Sequence, residues 1–214
     1  MTRRPPRRSF GGYDIKTIVG VTGLSGSGKT TLAQLLSEQL SASLISQDDF
    51  YIGCTAMRAA GQSGDNFDTL DAINCKGLTD TLDAICDGKR PSIEVPNYDH
   101  VRSAPNGFRN IVNSDVIIVE GHLLFTSDRI LSYVDFLIYI DIDEEIAKER
   151  RFARDVVERG YTLEDCESYY MEYVESQLES IGDLKSKADY IIGNHVLKDV
   201  LNDHVETLSA LLTK

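Results

Sequence analysis

Eight residues concentrate the most specific chemistry in the chain: Gly23-Leu24-Ser25-Gly26-Ser27-Gly28-Lys29-Thr30 fits the pattern G-x-x-x-x-G-K-[ST]. Glycines let successive backbone N–H groups turn inward on a phosphate, and a helix starting near Lys29 aims its positive dipole end at the same point. Lys29 would reach the β and γ phosphates, while the Thr30 hydroxyl suits a Mg²⁺ that otherwise keeps mostly water and phosphate ligands. The ligand implied is a nucleoside triphosphate. The sequence has no N-K-x-D for guanine, no D-x-x-G for a γ-phosphate switch and no L-S-G-G-Q of transporter ATPases. Phosphoryl transfer to a small metabolite therefore fits better than a switch or a motor.

Such a transfer needs an acid near the phosphates to orient and deprotonate the hydroxyl that is phosphorylated. Ser46-Gln47-Asp48-Asp49-Phe50-Tyr51 supplies one. It follows a strand-like run, and the carboxyl ends of parallel strands open on the ligand crevice of α/β sheets. Asp48 as a turn or helix-cap aspartate is the plainer alternative. Glu120, at the end of the run Val116-Ile117-Ile118-Val119, should project at the same edge and could hold Mg²⁺ directly or through water. Arg151 and Arg154 are three apart, hence neighbours on one helix face, where a guanidinium pair could grip phosphate oxygens. Glu144, Glu145, Glu149 and Glu158 leave a salt-bridged solvent face as the alternative.

These residues need a scaffold that alternates strands with helices. Thr17 to Val21, Ser43 to Ser46, Val116 to Val119, Phe136 to Ile142 and Tyr190 to Ile192 read as strands. Lys29 to Leu40, Leu70 to Asp87, Glu144 to Arg159, Leu163 to about Leu178 and a last segment from Val200 to Leu211 carry helical periodicity. Alternation of this kind implies a parallel sheet covered by helices. Gly61 to Asp68 and Val95 to Phe108 read as loops, with room for a hairpin between them.

The 214 residues suit one α/β domain, expected over residues 13–214, preceded by a disordered basic tail over residues 1–12. With 22 Lys+Arg against 34 Asp+Glu the net charge is −12, which argues against a general nucleic-acid partner. No apolar run approaches the roughly 20 residues needed to span a bilayer, so no membrane partner is expected and a cytoplasmic location is. Cys54, Cys75, Cys86 and Cys166 lack C-x-x-C spacing and read as reduced thiols. His100, His122, His195 and His204 lack metal-ligand spacing and read as surface or packing residues. Nothing in the residues chooses between a monomer and a homo-oligomer.

Taken in order, these motifs together with Asn66-Phe67-Asp68, Val95-Pro96-Asn97-Tyr98, Val119-Glu120-Gly121, Arg150 to Gly160 and Ala188-Asp189-Tyr190-Ile191-Ile192 resemble the uridine/cytidine kinase branch of the P-loop kinases that also includes phosphoribulokinase. The resemblance covers about residues 16 to 193. It implies a P-loop kinase fold, a parallel sheet flanked by helices with a small hairpin or loop region over the acceptor site and a helical lid. It also implies ATP and Mg²⁺ as cofactors and a ribonucleoside as the small-molecule partner, phosphorylated at its 5′-hydroxyl in pyrimidine salvage. By that resemblance Asp48 is the base and lies near the metal, with Thr30 and Glu120. Asp68 and Arg151 take the ribose hydroxyls, Tyr98 lines the base pocket, and Arg154 and Arg159 belong to the lid over the ATP phosphates.

Departures fall in the base pocket. Uridine and cytidine kinases usually carry a histidine five residues after the pocket tyrosine and an arginine two later, where this chain has Ser103 and Pro105; His100 comes three positions early. Tyr161 replaces an arginine and Tyr169 stands near a usual glutamine. Ser43 to Phe50 and Phe67 to Asn74 are also similar to nicotinamide riboside kinases, which makes nicotinamide riboside the second expected substrate. A nucleotide-binding scaffold without catalysis is the reading from another class.

Overall fold

The structure, a computed structural model, describes residues 16–193 and 198–213. The expected basic tail over residues 1–12 and His195 lie outside the described residues. Among the described residues seven strands form, β1 (Thr17–Gly23), β2 (Ser43–Ser46), β3 (Ser92–Asp99), β4 (Ala104–Val112), β5 (Val116–Glu120), β6 (Phe136–Ile140) and β7 (Tyr190–Ile192). Five of them make one parallel sheet in the order β2-β5-β1-β6-β7. The helices are α1 (Lys29–Leu40), α2 (Cys54–Ala59), α3 (Cys75–Asp87), α4 (Asp128–Leu131), α5 (Glu144–Arg159), α6 (Leu163–Tyr169), α7 (Leu178–Asp183) and α8 (Lys198–Leu212).

Strand periodicity splits the apolar residues between two cores. Ile18, Ile117, Val119 and Leu137 face α3 and the β3–β4 hairpin. Their neighbours Val19, Ile118 and Ile138 face Leu32, Ala33 and Leu36 of α1 and Leu201, Val205 and Leu208 of α8. Because successive strand side chains point to opposite faces, a run such as Val116 to Val119 must be apolar throughout when both faces are covered.

Three expected segments differ in the structure. The periodicity from Leu70 does not run as one helix: Leu70–Ala72 is a 3₁₀ turn, and Ile73 is extended and bridges Tyr51. Asn74 then caps α3, its side chain accepting the Gly77 N–H at 2.9 Å. The segment Val95 to Phe108, expected as a loop, is the hairpin itself. There β3 pairs antiparallel with β4, with an irregularity between Pro96 and Tyr98 where Gly107 takes φ +72°. Arg109 ties this hairpin to the main sheet, donating to the Asp49 carboxylate at 2.7 Å and the Leu44 carbonyl at 3.1 Å. Finally, the helix expected from Leu163 to Leu178 breaks after Tyr169 into a π-helical turn over Tyr170–Val174 and a 3₁₀ turn over Glu175–Gln177.

Candidate active site

The turn between β1 and α1 is shaped by its neighbours. Gly28 opens α1 at φ +94°, a conformation L side chains rarely adopt. A Cβ on Gly26 would meet the Ala147 carbonyl oxygen of α5 at 2.2 Å, so the loop closes only with glycine there. The Ser27 N–H donates to the Leu24 carbonyl at 3.0 Å, and the Lys29 ammonium donates to the same oxygen at 3.2 Å. Burial lowers the Lys29 pKa, while the carboxylates of Glu120 and Asp48 pull it back up.

Parallel pairing brings the acids to this loop. Register sets Ser46 beside Glu120 and Val21 beside Glu120, so the ends of β2, β5 and β1 meet at one edge. The Ser46 hydroxyl donates to Glu120 Oε1, and the Thr30 hydroxyl donates to Oε2 at 3.4 Å. Burial raises the Glu120 pKa, and the Lys29 charge opposes that rise. Ser46 also caps the 3₁₀ turn Gln47–Phe50, accepting the Asp48 N–H at 3.2 Å. Asp48 is thereby held at the mouth of the loop, where its carboxylate lines the same cavity as Lys29, Thr30 and Glu120.

That cavity, of about 460 Å³, continues from the glycine turn to the hairpin. Of the residues expected at the site, Ser25, Lys29, Thr30, Asp48, Asp68, Tyr98, Glu120, Arg151, Arg154 and Arg159 all line it. Gly23, Leu24, Gly26, Ser27 and Gly28 form the backbone turn and stand outside its lining. Arg151 does not pair with Arg154. Its guanidinium forks onto Asp68, with Nη1 donating to Oδ1 at 3.0 Å and Nη2 to Oδ2 at 2.8 Å. Burial alone would raise the Asp68 pKa; hydrogen bonds from His122 and Arg151 and the Arg151 charge hold it well below the usual carboxylate range. Arg154 instead donates to Asp155 at 2.9 and 3.0 Å, and Arg159 reaches the same oxygen at 3.3 Å.

Aromatic rings close the far end. Tyr51 meets Phe67 and Tyr98 edge-on, with centroids 5.3 and 5.5 Å apart, and burial pushes the Tyr98 phenol up to about 12. His100, read from sequence as a surface or packing residue, packs against Tyr98 at 5.2 Å and stands 3.6 Å from Asp48 Oδ2. Ser103 and Tyr161 line the cavity, whereas Pro105 does not. Tyr169 accepts the Phe67 N–H at 2.9 Å and lies under the Arg151 guanidinium at 5.4 Å. Sequence reasoning missed Gln47, His122 and Asp155. Gln47 and Asp155 lie inside recognised motifs, and His122 directly follows one.

The donor set fits the chemistry expected of it. Two carboxylates and a hydroxyl are hard oxygen donors of the kind that hold Mg²⁺ together with nucleotide phosphates. Among the described residues no cluster of three or more His, Cys, Asp or Glu side chains forms a metal centre by itself. No helix among them is long and apolar enough to cross a membrane.

The family described as "Phosphoribulokinase / Uridine kinase family" matches residues 18–200. A uridine kinase of Halobacterium salinarum is 32% identical over 202 residues, covering 91% of this chain and 89% of that protein. A uridine kinase of Limosilactobacillus reuteri is 30% identical over 200 residues, 89% of this chain and 91% of that one. Uridine kinase-like protein 3 of Arabidopsis thaliana is 32% identical over 200 residues, 89% of this chain, which spans only 42% of that longer relative. Phosphoribulokinase from Rhodobacter spheroides superposes with a TM-score of 0.59 at 19% identity, over 83% of this chain and 69% of that one. At that identity the likeness is one of fold.

Proposed function

Because the chain belongs to the phosphoribulokinase/uridine kinase family, we propose that it is a nucleoside kinase. It transfers the terminal phosphoryl group of ATP to the 5′-hydroxyl of a ribonucleoside, with uridine and cytidine the first substrates. The observation that carries this reading is one cavity lined at one end by Lys29, Thr30, Glu120 and Asp48 and at the other by Asp68, Arg151 and Tyr98.

In this reading the loop amides and Lys29 hold the triphosphate. Asp48 accepts the proton of the 5′-hydroxyl as its oxygen bonds to the γ-phosphorus, and the bond from that phosphorus to the ADP oxygen breaks. Thr30, Glu120 and Asp48 would hold Mg²⁺, which when bound would neutralise charge developing on the phosphate oxygens. Asp68 and Arg151 take the ribose hydroxyls, Tyr98 faces the base, and Arg154 and Arg159 reach the phosphates from α5. Positioning and fixed charge supply most of the rate, because phosphoryl transfer asks little covalent chemistry of the protein.

Two features widen the base specificity under test. Ser103 and Tyr161 stand where uridine and cytidine kinases carry a histidine and an arginine, and a pocket that lacks such donors discriminates less by hydrogen bonding. The decisive experiment is an ATP-dependent screen of uridine, cytidine, adenosine, guanosine and nicotinamide riboside, read by appearance of the 5′-monophosphate. Product from uridine or cytidine supports the reading; product from nicotinamide riboside alone transfers it to that substrate. No product from any of them overturns it in favour of a binding scaffold.

A further inference from the structure

His122 has a protonation pattern that its neighbours dictate. Gln47 is almost wholly buried, and its Oε1 accepts the Leu123 N–H at 2.9 Å. With the carbonyl end so fixed, the amide nitrogen is the donor, and it lies 3.1 Å from His122 Nδ1 and 3.2 Å from the Tyr51 hydroxyl. A ring nitrogen that accepts cannot carry hydrogen, so a neutral His122 holds its proton on Nε2. Nε2 lies 3.0 Å from Asp68 Oδ1.

Asp68 therefore receives three N–H donors, two of them on Oδ1, from His122 and Arg151, and one on Oδ2, from Arg151. An ionised carboxylate offers about four acceptor sites. Oδ1 carries two of these donors and Oδ2 only one, on a side chain that lines the cavity and that the Tyr169 hydroxyl also approaches. The chain of contacts also ends on Gln47, the residue before Asp48 in the same 3₁₀ turn.

We propose that His122 is a positioning residue: its Nε2–H, set by Gln47, gives Asp68 Oδ1 its second donor and leaves Oδ2 as the oxygen that accepts a sugar hydroxyl of the nucleoside. The same contacts tie the sugar-binding carboxylate to the turn that carries the base. This inference rests on the nucleoside kinase reading, which the screen above tests separately.

Two variants and one spectrum decide it. His122→Gln retains an N–H donor near the position of Nε2, whereas His122→Leu has none. Loss of a hydrogen bond to a charged group predicts a rise in nucleoside KM of about 10- to 100-fold for His122→Leu. The KM for ATP stays unchanged, and the preference for ribonucleoside over its 2′- and 3′-deoxy analogues narrows. His122→Gln restores most of both. Equal loss in both variants, or a rise in both KM values together, overturns the role. Long-range ¹H–¹⁵N NMR of the wild-type imidazoles at neutral pH, with His122→Gln for assignment, should show His122 as the Nε2–H tautomer. An Nδ1–H tautomer overturns the inference even when no nucleoside is phosphorylated, and it does so without relying on a variant's activity.

Discussion

His100 Nε2 stands 3.6 Å from Asp48 Oδ2, joining the hairpin to the turn that carries the proposed base. Both side chains are about two-fifths exposed, so their attraction is screened by water and orients more than it stabilises. Asp48→Asn should lower kcat by about 10²- to 10⁴-fold, the usual contribution of a general base. ATP affinity, measured by calorimetry, should be preserved. His100→Ala should have a smaller effect that falls mainly on the nucleoside KM. Undiminished turnover in Asp48→Asn would remove Asp48 from its role.

Lys29 is buried, and the carboxylates of Glu120 and Asp48 are the opposing charges that act on it. Lys29→Ala should weaken ATP binding and lower kcat together, because in the proposed reading the ammonium serves both the bound nucleotide and the charge of transfer. A thermal-shift series gives a direct reading: ATP raises the wild-type Tm by mass action, and this rise should be lost in the variant. A normal ATP-induced shift with normal turnover would contradict the phosphate cradle.

Asp68 and Arg151 form a buried, forked pair, and removing one partner of such a pair leaves an uncompensated charge. Asp68→Asn should cost about 3–5 kcal/mol at neutral pH in urea denaturation. The folded carboxyl lies well below its ordinary value of 3.8, so its stabilisation is complete above that value and is lost as the pH falls through the folded one. The gap between wild type and variant should accordingly shrink on acidification below about pH 4. A gap that stays constant between pH 7 and pH 3 would show that the carboxylate's charge is not what the site uses.

Thr30 and Glu120 share a hydrogen bond of 3.4 Å at the edge where the triphosphate is expected. Chelation of divalent cations should abolish transfer, and added Mg²⁺ should restore it. Glu120→Gln should raise the Mg²⁺ concentration needed for half-maximal rate by more than it raises the nucleoside KM. An unchanged Mg²⁺ requirement would place the metal elsewhere.

The glycine-lysine turn, its flanking strand and helix, and the five strands of the sheet were legible because each depends on a local pattern. A run such as Val116 to Val119 announces a strand covered on both faces without knowledge of its neighbours. The hairpin was not legible in the same way: Pro96, Asn106 and Gly107 read as turn residues, yet two of them lie in the irregularity that interrupts β4. Residues that act through long-range partners were hidden for a different reason. Nothing near His122 announces Asp68, and nothing near Asp48 announces His100, since those pairs are 54 and 52 positions apart and meet only after the sheet and hairpin have formed. Arg151 shows the converse case, in which helix spacing correctly joined it to Arg154 on paper while a distant carboxylate claimed its guanidinium.

The hairpin that carries Tyr98, His100 and Ser103 forms its own two-stranded ladder and is fastened to the parallel sheet through Arg109. On the proposed reading, the hairpin's share of substrate selectivity is carried on a ladder distinct from the sheet that carries the glycine turn. Exchanging residues 92–112 as a cassette, with Arg109 retained, should retarget the enzyme to another alcohol while its nucleotide end keeps working unaltered.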